Sequence, residues 1–188
     1  MANIIRPHLG KTDTIVEIGS GTGYNVFALS CIFPDLKFVG LDISEKGIQA
    51  SREITEHFKI TDRFDFAILD LTDLNHPGFK KLQNAFILSY FCLEQLPTSI
   101  SKVISNIIAA ANVKMAVHIE PNIVHLHLTN PLDWANYVYI KSVNYQTDLH
   151  ECLAQLHESK KLKILSEKSF RFAPTVQNRG LVSIWERL

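Results

Sequence analysis

The stretch Thr14-Ile-Val-Glu-Ile-Gly-Ser-Gly-Thr-Gly-Tyr24 constrains this chain more than any other. Its β-branched run, Thr14, Ile15, Val16 and Ile18, reads as a buried strand that stops at three glycines on alternate positions, Gly19, Gly21 and Gly23, with a helix to follow. A strand that turns through bare backbone into a helix presents unpaired N–H groups, and the positive end of the peptide dipoles, to whatever lies in the bend. Glycine also lets the backbone approach a ligand with no Cβ in the way. The junction predicts an α/β fold with a nucleotide-type ligand at the carboxyl end of a strand; the plainer reading is a strand-to-helix turn with no ligand.

Spacing separates the candidate ligands. A triphosphate loop needs Gly-x-x-x-x-Gly-Lys-Ser/Thr, and no lysine stands at that spacing here. The dinucleotide pattern Gly-x-Gly-x-x-Gly lacks its third glycine, since that position holds Tyr24 counted from Gly19 and Val26 counted from Gly21. NAD is thereby demoted. What remains, Glu17-x-Gly19-x-Gly21-x-Gly23, resembles motif I of the class I S-adenosylmethionine-dependent methyltransferases. The resemblance implies that Gly19, Ser20, Gly21 and Gly23 wrap the methionine end of S-adenosylmethionine, with Glu17 beneath it.

Further strands follow in an order that suits a doubly wound sheet. Lys37-Phe-Val-Gly-Leu-Asp42 ends on a carboxylate, and an acid at the end of the second strand can accept both ribose hydroxyls. Asp42 could instead cap the helix that starts at Ser44 and Glu45. Arg63 to Asp70 forms a third strand; the resemblance implies that Asp70 and Leu71 meet the adenine, that Ile43 lies beside Asp42 against the cofactor, and that Ser89 touches it from strand four, Asn84 to Tyr90. Val113 to Glu120 is strand five, Leu162 to Ser166 strand six and Leu181 to Glu186 strand seven. The final pair resembles the antiparallel hairpin with which methyltransferase sheets end, implying a seven-stranded, mostly parallel sheet of order 3-2-1-4-5-7-6 with strand seven antiparallel and helices on both faces. A single domain over residues 1–188, with a short N-terminal lead-in, is expected.

Helical segments are expected between the strands. After the glycines, Phe27, Ala28 and Ile32 should face inward; from Ser44 to Phe58 the apolar positions are Ile48, Ile54 and Phe58. Thr98 can cap a helix whose stripe is Ile100, Val103, Ile104, Ile107 and Ile108, and Leu149, Cys152, Leu153 and Leu156 mark another. Pro131 to Tyr145, rich in aromatics and amides, lacks a clean period and reads as a substrate-facing loop.

Charge narrows the acceptor. Lysine plus arginine (19) balances aspartate plus glutamate (19), so no broad basic field exists to hold a nucleic-acid backbone. Cys31, Cys92 and Cys152 are scattered and odd in number, and read as small buried hydrophobes in a reducing compartment, the cytoplasm. No apolar run reaches membrane-spanning length and no signal layout opens the chain.

Methyl transfer to a hydroxyl or a protonated amine needs a base, and Glu94, His118 and Glu120 near the ends of strands four and five are the catalytic candidates. Each has a structural alternative: a cap for Glu94, a core histidine for His118, a lysine partner for Glu120. His125 and His127 would share one face if extended, but Leu126 and Leu128 and the absence of a nearby cysteine pair favour a packed hairpin, so no metal is expected. Leu93 to Pro97, His118 to Pro121, Asn144 and Ser183 to Trp185 are similar to bacterial sugar O-methyltransferases, which implies a small acceptor, a sugar hydroxyl. Rival readings are an inactive methyltransferase-like subunit serving a partner, and an aminopropyltransferase, although no acidic cluster suits a polyamine. The short lead-in leaves room for a protein partner or homodimer to complete the site.

Overall fold

The computed structural model describes residues 1–10, 12–96, 98–110, 113–171 and 179–188. Strands β1 (Thr14–Ile18), β2 (Lys37–Asp42), β3 (Phe64–Ile68), β4 (Phe86–Tyr90), β5 (Met115–Glu120), β6 (Leu162–Arg171) and β7 (Arg179–Arg187) form one sheet of order β3-β2-β1-β4-β5-β7-β6. The first five pair in parallel; β7 runs antiparallel between β5 and β6. Both the order and the reversed strand are as expected.

Alternation along the strands supplies two apolar faces. Val16, Ile18, Leu41, Ile87, Ala116 and Trp185 pack with α4 (Ile100–Ala110) and α6 (Leu149–Glu158). Ile15, Phe38, Phe86, Leu88, Val117 and Ile184 pack with α1 (Ala2–Ile5), α2 (Tyr24–Ile32) and α3 (Glu45–His57). Strands covered on both faces need no polar alternation, which explains their nearly continuous apolar runs.

Four local expectations need correction. In α2, Val26 and Leu29 are buried while Ala28 and Ile32 are exposed, because Phe27 turns toward the β3 aromatics, its ring 5.3 Å from Phe64 and 5.6 Å from Phe66. In α3, Ser51 and Thr55 join Ile48 in the interior and Phe58 is exposed; the two hydroxyls can be buried because they donate to Gly47 O and Arg52 O. Residues 131–142 form a helix, α5 (Pro131–Ser142), rather than a loop. Asn130 Oδ1 accepts the N–H groups of Leu132 and Asp133, and Pro131 fits the first turn. Cys31 is exposed, not buried.

The start of α4 is Ile100, and its N–H donates across to Asp148 Oδ1 at 3.3 Å. No described helix is long and apolar enough to cross a membrane.

Candidate functional site

The carboxyl ends of β1 to β5 share one rim, and the glycine bend sits there. Gly19, Gly21 and Gly23 have φ of +73, +54 and +80°, a left-handed region in which a side chain is strained. The bend is anchored from below: Gly19 N and Ser20 N donate to Leu41 O at 2.7 and 3.0 Å. Above Gly21 the space is open, since an added Cβ would meet nothing within 4 Å. Asp42 locks the bend to the following helix, with Oδ2 accepting Gly21 N at 2.7 Å and Oδ1 accepting Ser44 N at 2.8 Å. Asp42 thus sits at the rim, while the cap of α3 is Ser44, whose hydroxyl accepts Gly47 N at 3.2 Å, and not Asp42.

A cavity of about 390 Å³ opens beside this bend. Of the residues expected to hold the cofactor, Gly19, Asp42, Ile43, Asp70 and Leu71 line it. Thr72 donates from both its hydroxyl and its backbone N–H to Asp70 Oδ1, which holds that carboxyl below its usual range. Glu17 lies behind the bend, buried, with Oε1 accepting Asn25 Nδ2 at 2.7 Å and Oε2 without a partner. Burial outweighs the Asn25 bond and, with the nearby Asp42 charge, raises its pKa to about 7.

The far wall is Phe91, Cys92, Gln95 and Leu96, within the segment Phe91 to Pro97 that the resemblance implies lies near the methyl acceptor; which of its residues face the cavity was not foreseen. Cys92 Sγ lies so close to Gly19 that an added Cβ there would stand 2.1 Å from it. Phe91 has φ of +52°, rare for a bulky residue, and its N–H donates to Ile119 O. A bulky side chain at the end of a strand forced into the left-handed region was the available signal, but only the backbone reveals it.

The proposed base candidates gather behind that wall. Glu120 Oε2 accepts Cys92 N at 3.0 Å and Leu93 N at 3.2 Å, while Oε1 accepts the Ser89 hydroxyl at 2.5 Å. His118 Nδ1 is 2.9 Å from Ser89 Oγ, and Nε2 is buried without a partner. Burial, then the adjoining Glu94, pushes Glu120 well above the carboxylate range; burial lowers His118 to about 3 and keeps it neutral. Glu94, Glu120, His118 and Ser89 are all buried, and none lines the cavity. Among the described residues no group of three or more His, Cys, Asp or Glu side chains could hold a metal ion.

Solved structures of similar fold include methyltransferases. The geranyl diphosphate C-methyltransferase of Streptomyces coelicolor A3(2), in complex with Mg2+, geranyl diphosphate and S-adenosyl-L-homocysteine, has a TM-score of 0.68 at 12% identity, over 100% of this chain and 79% of that one. Mitomycin 7-O-methyltransferase gives 0.68 at 16%, over 96% and 50%. A plantazolicin methyltransferase gives 0.67 at 13%, over 99% and 80%. No curated protein matches the sequence. Residues 9–168 match the family described as a methyltransferase domain. With that match spanning most of its length, and with a glycine bend, strand-end acids and sheet order that agree with it, the chain belongs to the methyltransferase domain family, in its class I, S-adenosylmethionine-dependent form.

Proposed function

We propose that this chain moves the methyl group of S-adenosylmethionine to a small-molecule acceptor, with a sugar hydroxyl as the acceptor chemistry to test first. One observation carries the reading: the glycine bend is open above Gly21 and borders a cavity of about 390 Å³ whose wall includes Asp42. That size falls in the usual range for small-molecule sites. Methyltransferases of similar fold named for geranyl diphosphate and mitomycin support a small acceptor.

The residues present suit the cofactor. Each Asp42 oxygen takes one backbone N–H and keeps a lone pair for a ribose hydroxyl. Ile43 and Leu71 offer apolar surface to a purine, Asp70 an acceptor for its amino group, and Glu17 a carboxyl behind the loop for the methionine tail. When bound, the cofactor supplies an electrophilic methyl on a positively charged sulfur. The chain's share is alignment, worth roughly 7–11 kcal/mol in the best intramolecular cases. Glu120 serves that alignment by holding Cys92 and Leu93 in the cavity wall, and Glu94, Ser89 and His118 brace Glu120 from inside. A reducing cytoplasm as the compartment rests on three scattered cysteines.

Calorimetry with S-adenosylmethionine, S-adenosylhomocysteine and NAD tests this. Both sulfur ligands should bind and NAD should not; binding of NAD alone, or of none, overturns the reading. Asp42→Ala should weaken S-adenosylhomocysteine by roughly 1.5–3 kcal/mol through lost bonds to a charged acceptor. Unchanged affinity in that variant would remove Asp42 from the site.

A further inference from the structure

A second crevice, of about 220 Å³, lies on the same rim between the turn leaving β5, the start of α5 and the paired ends of β6 and β7. Its lining includes Asn122, His125, Leu126, His127, Asp133 and Phe170. Phe170 is also the link to the cavity described above: its ring lies 6.3 Å, edge to face, from that of Phe91, which lines the other side. The two spaces are thus neighbours across a pair of aromatic rings.

Asn122 makes the crevice a built site. Only 4% exposed, it spends Oδ1 on Val124 N at 2.7 Å, while its Nδ2 is buried with no acceptor. A buried amide donor left unpaired is unfavourable, and a ligand oxygen in the crevice would recover the lost bond. Opposite in character stands Asp133, whose Oδ2 accepts His127 N at 3.1 Å. A carboxylate disfavours an anionic guest, and the described lining holds no lysine or arginine to offset it. The amide donor, for its part, gives a cation nothing. Amide, carboxylate and two imidazoles beside an aromatic ring match a molecule whose groups both donate and accept and whose C–H face is apolar.

We propose that this crevice is the acceptor subsite and that it takes a neutral polyol, held by Asn122, Asp133 and His127 with Phe170 against its C–H face. The proposal rests on the methyltransferase reading above for its purpose, though its binding chemistry can be measured separately. Saturation-transfer NMR on the full chain, with and without S-adenosylhomocysteine, would use glucose, galactose and myo-inositol as probes, and a hexose phosphate, glucosamine and phenol as contrasts. At least one neutral polyol should receive saturation, and Asn122→Ala or the exposed His127→Ala should weaken it at least about tenfold with S-adenosylhomocysteine affinity unchanged. The second variant guards against loss of the Asn122 turn. Binding of no neutral polyol, preference for the contrasts, or indifference to both variants overturns the proposal. Failure of S-adenosylhomocysteine to bind sinks the cofactor reading instead, and polyol binding to the unliganded protein then still decides the crevice.

Discussion

Acidic side chains crowd the rim on both sides of β1, but they are held in opposite ways. On the β2–β3 side, Asp42 and Asp70 are half-buried, cap local turns through backbone N–H groups, and face the cavity. Across β4 and β5, Glu94 and Glu120 are buried and absent from the cavity lining; Ser89 and the turn after β4 satisfy both oxygens of Glu120, whereas Glu94 takes Gln95 on Oε1 and leaves Oε2 unpaired. Position at a strand end puts an acid near the cavity rim; exposure and existing partners decide whether it has anything left to offer. Glu17, on β1 itself, shares with Glu94 a buried carboxyl with one oxygen unpaired.

The contact that joins the halves should be the most sensitive. Gly19→Val would drive a branched side chain at φ +73° into Cys92, and urea unfolding should show a loss of about 4 kcal/mol. A loss under 1 kcal/mol would mean that the halves are not locked together there. Next comes Glu17, whose folded pKa of about 7 lies above its usual 4.5. A raised carboxyl favours the folded state fully below pH 4.5, and that contribution disappears as pH rises through 7. Relative to Glu17→Gln, the native chain should lose up to about 3 kcal/mol across that window. Parallel stability curves would show that burial does not hold the Glu17 proton.

Glu120→Ala should cost about 2 kcal/mol, because Cys92 N–H, Leu93 N–H and the Ser89 hydroxyl all lose their acceptor. Glu120→Gln should restore much of it, and equal damage from both would mark a role for the acid itself. The smallest effect belongs to Gly21→Ala. Space above it is open, so only the left-handed backbone is penalised, by about 1 kcal/mol in thermal unfolding. A larger loss would show that the bend is closed in solution.

The same contrast explains what the sequence could disclose. Sheet order was legible through the family resemblance that the glycine bend carries, and the place of Asp42 on the cavity rim because a strand-end acid leaves a local mark. The role of Phe91, Cys92 and Gln95 was not, since it depends on how the turn after β4 folds back onto Gly19, a contact between residues far apart in the chain. Residues 131–142 show the converse: the helix lacks a strong apolar period, and its start is set by the Asn130 cap and Pro131, a signal that the loop reading from composition left unused. Helix faces were misread in α2 and α3 because aromatic packing on β3 and back-bonded hydroxyls decide them, not apolar spacing alone.

The placement of β7 also bears on how the molecule is made. Although it follows every other strand in sequence, it fills the gap between β5 and β6, pairing Met115 with Glu186. While a ribosome is still releasing residues 179–187, β5 has a bare flank of N–H and C=O groups, and β6 has no neighbour to join. Until β7 threads into its slot a nascent chain should therefore be adhesive along β5, and chaperone capture should be strongest in that interval.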